Sequence, residues 1–224
     1  MMRAERCAAT PDLFAAAADA QDTVPLEPGA VVLPGLALPQ AEQLLHDVAG
    51  VLAQAPLRHL VTPGGYTMSV AMSNCGPLGW TSDITGYRYT ATDPLSGRPW
   101  PALPAAMATL ARQAAARAGF DGFTPDACLI NQYSAGARLS LHQDRDEHDL
   151  RQPIVSVSLG LPAVFLWGGA RRSAPVRRIP LSHGDVVVWG GPARLHYHGV
   201  LALKGGCHPL TGEHRINLTF RCAS

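Results

Sequence analysis

Residues 139–146 have the sequence Leu-Ser-Leu-His-Gln-Asp-Arg-Asp, in which apolar and polar side chains alternate. This alternation predicts a β-strand that runs into a turn. Residues two apart on a strand point to the same side, so His142 and Asp144 share one face. An imidazole and a carboxylate there would supply two ligands of a 2-His-1-carboxylate metal site. Such a site leaves three positions of an octahedral ion open and suits non-haem Fe(II) enzymes that activate oxygen.

The third ligand should be a histidine on a distant strand. Residues 195–199, Leu-His-Tyr-His-Gly, follow the buried-strand pattern of residues 185–189. On one strand His196 and His198 would face the same way, so the two compete for this position. We favour His198, because Gly199 beside it permits a turn and a close backbone approach. The bland alternative is that an HxD pair arises by chance and its histidine is an ordinary polar residue.

The second half of the chain predicts eight short strands separated by turn residues. They cover residues 128–134, 139–144, 154–161, 163–169, 176–181, 185–189, 195–200 and 215–221. Eight strands at this spacing predict a double-sheet jelly roll, a fold that brings residues distant in sequence to one mouth. That context supports the metal interpretation.

Helices and a strand are predicted before this core. Residues 1 to about 30 predict a loosely held segment with one short helix, and residues 29–33 predict a strand. Apolar residues with helical spacing predict a helix over 38–55. A second, Ala-rich helix over 101–118 ends at Gly119.

Residues 58–100 are rich in Gly, Thr, Ser, Tyr and Met, which predicts short strands joined by turns. This segment is either an irregular cap over the core or a lid that covers the substrate, because binding residues favour loops on a rigid scaffold. The fold class is therefore mainly β with flanking α. We divide the chain into residues 1–125, with the N-terminal extension, supporting helices and lid, and residues 126–222, the jelly-roll core, in one compact unit.

Composition excludes several classes of protein. The 224 residues are 47% hydrophobic and 16% charged, with a net charge of +1, which indicates a globular protein without a histone-like DNA footprint. The five cysteines contain no CxxC pair, so neither a zinc knuckle nor a disulfide framework is indicated, and reduced thiols are expected. No stretch reaches the length of a membrane span. We expect a cytoplasmic monomer.

The last predicted strand, residues 215–221, alternates polar and apolar side chains. Its polar face carries Arg215, Asn217, Thr219 and Arg221. An amphipathic edge strand would show the same pattern. However, guanidinium groups bind carboxylates in a planar, bidentate way, and an iron dioxygenase needs such a group for the distal carboxylate of 2-oxoglutarate. Asn131 and Tyr133 on the first core strand could share this task.

Four arginines form the one local basic cluster of the chain. They are Arg171, Arg172, Arg177 and Arg178. The cluster is either a grip for nucleic-acid phosphates or a solvated hairpin.

Several long motifs together resemble one known family. They lie at residues 61–70, 125–131, 139–144, 185–191 and 215–221. From about Gly29 to Arg221 the chain strongly resembles the AlkB family, whose members are Fe(II)- and 2-oxoglutarate-dependent dealkylases that repair alkylated DNA bases. Matched runs of this length are far more specific than a three-residue ligand pattern.

The resemblance implies a double-stranded β-helix core under a nucleotide-recognition lid. It places the iron ligands, and hence the catalytic centre, at His142, Asp144 and His198. It places 2-oxoglutarate contacts at Asn131, Tyr133, Arg215, Asn217 and Arg221. It places substrate contacts at Trp80, Tyr87, Asp146 and Arg172. The implied cofactor is Fe(II), with 2-oxoglutarate and O2 as co-substrates.

Three local departures from the family pattern bear on substrate preference rather than on the chemistry. The N-terminal ~20 residues do not match clearly, and residues 165–167 and 170–173 differ. His196 stands where the family pattern has an aromatic residue.

The implied reaction is oxidative dealkylation of bases such as 1-methyladenine and 3-methylcytosine in single- or double-stranded DNA, with RNA left open. It consumes 2-oxoglutarate and O2 and releases succinate, CO2 and an aldehyde. An N-alkylated base is a cation, which the ring of Trp80 would attract, with His142 on the other side. Asp146 could accept a hydrogen bond from an exocyclic amine. The base must leave its stack to reach the iron.

Two other functions compete with base repair. The first is a hydroxylase of the same type acting on a protein or a small molecule, for which the lid residues Trp80 and Asp146 would not matter. The second is a jelly-roll binding module without catalysis, which would bind neither Fe(II) nor 2-oxoglutarate.

Overall fold

The structure, a computed structural model, describes residues 23–224. The short helix expected in the first 20 residues lies outside this range. The first half contains strands β1 (Val24–Glu27), β2 (Ala30–Leu33), β3 (Arg58–Val61), β4 (Thr67–Cys75), β5 (Gly79–Asp83) and β6 (Gly86–Thr90), with helices α1 (Ala41–Leu52) and α2 (Ala105–Arg117). The second half contains β7 (Ala127–Tyr133), β8 (Leu139–His142), β9 (Ile154–Gly160), β10 (Ala163–Trp167), β11 (Arg177–Leu181), β12 (Val186–Trp189), β13 (His198–Val200) and β14 (Arg215–Arg221).

The eight predicted core strands are present and divide evenly between two facing sheets. The large sheet has the order β1-β2-β12-β9-β14-β7-β4-β3, and the small sheet has the order β11-β10-β13-β8. The expected double-sheet jelly roll is therefore confirmed. Strands β1 to β4 widen its large sheet, and β5 and β6 form a separate two-stranded hairpin.

Strand β14 lies in the middle of the large sheet, so the alternative of an edge strand is wrong. It pairs with β7 on one side and β9 on the other, and all seven of its residues are buried. Its apolar residues Ile216, Leu218 and Phe220 pack under the helices. The polar residues point the other way, into the space between the two sheets.

Helices α1 and α2 cover the outer face of the large sheet. Leu44 and Val48 of α1 and Met107 and Leu110 of α2 belong to one buried cluster with the apolar residues of the central strands. Both helices are shorter than predicted. A 3-10 turn at Leu38–Gln40 precedes α1, and α2 begins only after Pro104, because proline restricts the residue before it and has no N–H to donate.

Strand β1 was not predicted, because residues 1 to about 30 indicated only a loosely held segment with one short helix. It pairs with β2 at the edge of the large sheet, where Pro25 is tolerated since an edge strand need not donate every hydrogen bond.

Two predicted strands are shorter in a way that matters for the site. Strand β8 ends at His142, so Asp144 lies beyond it, and β13 begins only at His198. The prediction that His196 shares a strand with His198 is wrong. A 3-10 turn at Gly191–Ala193 runs directly into this segment and uses the His196 N–H, which donates to the Ala193 carbonyl at 3.0 Å.

Segment 58–100 does contain short strands joined by turns, and it has two parts. Strands β3 and β4 belong to the large sheet, whereas β5 and β6 make a hairpin outside both sheets. Asp83 closes the hairpin turn, since it accepts hydrogen bonds from Thr85 and pairs with Arg88. We call residues 79–90 the lid hairpin.

The thiols follow the expectation only in part. Cys75, Cys128 and Cys222 are free, but Cys207 is disulfide-bonded, which the scattered spacing of the cysteines did not indicate. Within residues 23–224, the longest helices fall well short of what is needed to cross a membrane.

Candidate active site

His142, Asp144 and His198 meet at one point, as predicted. Their ligand atoms lie within 4.8 Å of one another, and across residues 23–224 they are the one group of three such side chains found. Asp144 Oδ1 lies 3.6 Å from His142 Nε2, and Asp144 Oδ2 lies 3.7 Å from His198 Nε2. Pairing of β13 with β8 sets His198 directly opposite His142, with ring centroids 4.4 Å apart.

Both imidazoles are oriented by their other nitrogen. His142 Nδ1 donates to the Ser140 carbonyl at 2.8 Å, and His198 Nδ1 donates to the His196 carbonyl at 3.0 Å. A carbonyl can only accept, so each Nδ1 carries the proton and each Nε2 is left with a lone pair. This arrangement is the one expected of metal-ligating histidines.

The electrostatics keep these groups in their ligating forms. Burial, together with neighbouring His142, lowers the pKa of His198 to about 4, so its imidazole is neutral at pH 7. Burial alone would raise the pKa of Asp144, but the charge of Arg221 and the two histidines hold it well below its usual range. A neutral imidazole at His198 and an ionised carboxylate at Asp144 suit a divalent cation.

Gly199 explains why β13 can approach β8 so closely. A Cβ at this position would lie 2.7 Å from the Leu139 carbonyl oxygen and 3.1 Å from the backbone of Ser140. A side chain at position 199 would therefore push the strand that carries His198 away from the strand that carries His142. The close backbone approach expected at Gly199 is thus present, whereas the expected turn is not, because Gly199 lies within β13.

We call His142, Asp144 and His198 the metal group. His196 lies outside this group, and its side chain is held by a carboxylate on β1. Its Nδ1 is 2.9 Å from Glu27 Oε1, and the same oxygen accepts a hydrogen bond from Trp167 Nε1. His196 therefore acts on the centre only indirectly, since its carbonyl orients His198.

The polar face of β14 presents a buried cation with unused donors. Arg215 is 1% exposed, and its Nη2 donates to Ser158 Oγ at 2.9 Å. Its Nε and Nη1 find no hydrogen-bond partner among residues 23–224, and neither does Asn131 Oδ1. The guanidinium lies over the ring of Tyr133, with its Cζ 4.9 Å from the centroid. Unpaired buried donors of this kind fit a carboxylate ligand such as that of 2-oxoglutarate.

Asn217 and Arg221 have protein partners in this structure. Asn217 donates to Ser156 Oγ and to the Val157 carbonyl, and its oxygen accepts from Asn131 Nδ2 at 3.1 Å. Arg221 donates through Nε and Nη2 to Asp144 Oδ2, at 3.1 and 2.7 Å. Asn217 therefore orients Asn131, and Arg221 holds the carboxylate of the metal group.

The lid hairpin contributes two stacked aromatic rings. Trp80 on β5 and Tyr87 on β6 have centroids 5.5 Å apart and planes 15° apart. Trp80 Nε1 donates to Asp146 Oδ2 at 2.9 Å, so Asp146 connects the ring to the loop that carries Asp144. Tyr87 is 48% exposed, which leaves the outer part of this stack open to solvent.

The basic cluster divides into residues with different roles. Arg172 reaches the site, where Nη1 donates to the Leu141 carbonyl at 2.7 Å and the guanidinium lies over the Tyr197 ring at 5.9 Å. Arg177 instead donates to the Leu26 carbonyl and thereby ties β11 to β1. A role of the cluster in phosphate binding stays a prediction, and within the cluster Arg172 is the residue at the cavity.

A cavity of about 740 Å³ joins the metal group, the polar face of β14 and the aromatic stack of the lid hairpin. Its lining includes every residue predicted for metal, 2-oxoglutarate or substrate: Trp80, Tyr87, Asn131, Tyr133, His142, Asp144, Asp146, Arg172, His198, Arg215, Asn217 and Arg221.

The sequence analysis did not identify the residues that support Asp144 and the lid hairpin, which are Glu147, Arg194 and Tyr89. Glu147 and Arg194 form a buried ion pair at 2.9 Å, and Tyr89 donates to the same Glu147 carboxylate at 2.6 Å. The available signal was Glu147 itself, a third acidic residue after Asp144 and Asp146, but its partners lie 47 and 58 residues away.

Comparison with known proteins agrees with this geometry. Residues 29–221 match the 2OG-Fe(II) oxygenase superfamily. The chain is 62% identical over 213 residues to the alpha-ketoglutarate-dependent dioxygenase AlkB of Salmonella typhimurium, a match that covers 95% of this chain and 98% of that protein. The chain belongs to the AlkB family. It is 58% identical to AlkB of Escherichia coli over 95% of this chain and 97% of that one.

The fold comparison gives the same result for the AlkB family. The solved structure of OsALKBH1 superposes with a TM-score of 0.79 at 27% identity, covering 89% of this chain and 99% of that one. The protein is thus an Fe(II)- and 2-oxoglutarate-dependent dioxygenase that uses O2, and the alternative of a binding module without catalysis is wrong.

Proposed function

We propose that this enzyme removes N-alkyl groups from the pairing edge of DNA bases, with 1-methyladenine and 3-methylcytosine as representative lesions. The observation that carries the proposal is the juxtaposition of the Trp80–Tyr87 stack and the Asp146 carboxylate with the His-Asp-His group in one cavity. A protein or small-molecule substrate would not require an aromatic stack and a carboxylate in the cavity that contains the metal group.

In this proposal Fe(II) is held by His142, Asp144 and His198. When bound, the iron would supply the oxidising chemistry with O2 as the oxidant and 2-oxoglutarate as its co-substrate, so that the N-alkyl carbon is hydroxylated, 2-oxoglutarate becomes succinate and CO2, and the hydroxylated product releases an aldehyde. Arg215 would bind the distal carboxylate of 2-oxoglutarate through its unpaired N–H groups, with Tyr133 beside it. Asn131 completes this pocket, oriented by Asn217.

The lid residues select a cationic base. N-alkylation at the pairing edge places a positive charge on the ring, and the aromatic face of Trp80 attracts a cation. The His142 imidazole, with 38% of its side chain exposed, would lie on the other face of the base. Asp146 would exchange its hydrogen bond from Trp80 for one from the exocyclic amine of the base.

The target base must leave its stack to enter the cavity, which costs least for a single strand or an already unpaired lesion. A net charge of +1 indicates that the enzyme grips few phosphates. Arg172 lies at the rim of the cavity and could provide one such contact, whereas Arg177 is engaged with β1. RNA that carries the same lesions belongs to the same proposal, since the proposal assigns Trp80, Tyr87 and Asp146 to the base and assigns no residue to the sugar.

We further propose that the enzyme works as a monomer in the cytoplasm and that residues 1–125 and 126–222 form its lid-bearing and catalytic parts. Light scattering on the purified protein gives the oligomeric state directly.

The lid variants Trp80→Ala and Asp146→Ala test the substrate class. Both should reduce repair of a 1-methyladenine oligonucleotide by about tenfold or more, because each removes a contact to the base. Turnover of 2-oxoglutarate without DNA should continue at the native rate, since neither side chain contacts the metal group. Native repair by both variants would show that the lid does not bind the base and would favour a protein or small-molecule substrate.

A further inference from the structure

A second set of charged side chains lies directly behind the metal group. Glu147 follows Asp144 by three residues and is buried, with 2% of its side chain exposed. One oxygen accepts from Tyr89 at 2.6 Å and lies 3.3 Å from Arg221 Nε, and the other accepts from Arg194 at 2.9 Å. The Glu147 carboxylate thus has two hydrogen-bond donors and a second guanidinium close by, and it is held firmly because breaking either hydrogen bond leaves a buried polar group unpaired.

The two guanidiniums beside Glu147 also hold Asp144. Arg194 Nη1 donates to the Asp144 backbone carbonyl at 2.6 Å, and its Nε donates to the Gln152 carbonyl at 2.9 Å. Arg221 donates twice to the Asp144 carboxylate. Glu147 thus balances the charge of two guanidiniums that fix the backbone and the side chain of Asp144.

The remaining partner of Glu147 comes from the lid hairpin. Tyr89 lies on β6, directly across the hairpin from Trp80 of β5. Burial raises the pKa of Tyr89 far above its usual range, so its hydroxyl stays protonated and donates to Glu147. The aromatic side of the cavity is therefore tied to the metal side by Tyr89–Glu147 as well as by Trp80–Asp146.

We propose that Glu147 is a positioning residue that couples the seating of the lid hairpin to the geometry of the Asp144 carboxylate. It connects Tyr89 on the lid to Asp144 through Arg194 and Arg221, and both oxygens of its carboxylate are occupied by protein side chains. The proposal rests on the ligand role of Asp144 given under the proposed function.

Loss of the Glu147 charge has a definite physical consequence. Arg194 and Arg221 would then face the single carboxylate of Asp144, and Arg221 would compete more strongly with a cation for that group. Loss of the Tyr89 hydroxyl has a different consequence. All four charges would remain, and only the tie to the lid hairpin would be lost.

The test is a titration with Co(II) alone, followed through its visible absorption bands, which report the geometry of the bound ion. Glu147→Gln should weaken Co(II) binding by about tenfold or more and alter the bands, because partners of metal ligands have effects of this size. Glu42→Gln, the same change on the exposed face of α1, is the matched control and should bind as the native protein does. Native affinity and native bands for Glu147→Gln would overturn the proposal.

Tyr89→Phe tests the lid side independently and removes only one hydroxyl. Its Co(II) affinity should stay within about twofold of the native value, because the charges are intact. Amide hydrogen exchange over residues 79–90 should become faster, and KM for a methylated oligonucleotide should rise about tenfold with kcat little changed. Unchanged hydrogen exchange over residues 79–90 in Tyr89→Phe would overturn the coupling. This result decides the question even if Glu147→Gln does not fold.

Asp144→Asn separates this proposal from the ligand assignment. If Asp144→Asn binds Co(II) as the native protein does, the assigned ligand is wrong and the positioning role is wrong with it. If Asp144→Asn loses Co(II) while Glu147→Gln retains native binding, the ligand assignment stands and only the positioning role is wrong.

Discussion

Arg215 is a buried cation whose donors are only partly used. Burial lowers its pKa, while the adjacent Tyr133 acts in the opposite direction. Two of its nitrogens have no partner within residues 23–224, and a buried unpaired charge costs free energy. Arg215 therefore lowers the stability of the protein when no co-substrate is bound. Such a cost is typical of a residue whose role is to bind a ligand.

Replacement of Arg215 by Met should separate binding from stability. Arg215→Met should abolish the stabilisation that 2-oxoglutarate gives the native protein, which is about 2.7 kcal/mol at a concentration of 100 times Kd. Without co-substrate the variant should be as stable as the native protein or more so, since an apolar side chain replaces an unpaired charge. Urea unfolding with and without 2-oxoglutarate measures both quantities.

The matched control is Arg178→Met on the exposed strand β11, which should keep the response to 2-oxoglutarate. A full response to 2-oxoglutarate in Arg215→Met would contradict the assigned role of this residue.

Asp144 and Asp146 lie two residues apart but should differ completely in their effects. Asp144→Asn should abolish turnover of both 2-oxoglutarate and DNA, because it removes a proposed metal ligand. Asp146→Asn should keep 2-oxoglutarate turnover and change the relative rates on methylated adenine and cytosine, since Asp146 faces the base through its contact with Trp80. Succinate and repaired-base assays on the two variants check this, and equal loss of both activities in Asp146→Asn would be the contrary result.

At the scale of elements, the pairing of β8 with β13 builds the metal group. Gly199→Ala should separate the two strands, since the added Cβ would meet the Leu139 carbonyl oxygen at 2.7 Å. Overpacking of this kind costs about 1–3 kcal/mol of unfolding free energy. Affinity for Co(II) should fall as well, because His198 moves with its strand.

Gly205→Ala is the control for this element. Its added Cβ would find only the Ala135 Cβ at 3.8 Å, an ordinary contact, so stability and Co(II) binding should be native. Equal effects of the two substitutions on Co(II) binding would show that strand spacing does not set the site.

Glu27 on β1 contacts Trp167 and His196, and this contact gives a further prediction. Glu27→Ala leaves the buried Trp167 Nε1 and the His196 ring without their acceptor, which should cost about 1–3 kcal/mol of unfolding free energy. Glu27→Gln keeps an acceptor oxygen at the same place and should cost much less. Urea unfolding of the two variants makes the comparison, and equal losses would show that the acceptor is unimportant.

For the molecule as a whole, local sequence patterns predicted which residues form strands and which face the cavity. They did not predict which strands and side chains lie next to one another. Alternation along residues 139–146 and 215–221 identified the polar faces that line the cavity. It could not show that β14 is a central strand, because its partners β7 and β9 are set by pairing between distant segments. For the same reason Glu147 was missed, since Arg194 and Tyr89 reach it from two other parts of the chain.

His196 shows a different limit of sequence reasoning. Its alternation with His198 predicted one strand, but the 3-10 turn that ends at Ala193 takes its N–H before the strand begins. Where a strand starts depends on hydrogen bonds made by the preceding turn, and a two-residue shift decides whether a histidine faces the metal group.

The most direct test of the whole account is formaldehyde release from a single-stranded oligonucleotide with one 1-methyladenine, in the presence of Fe(II), 2-oxoglutarate and ascorbate. The native enzyme should release formaldehyde and restore adenine, with succinate formed in equal amount, and Asp144→Asn should release none. The absence of formaldehyde from the native enzyme, together with active hydroxylation of a protein or small molecule, would contradict the account.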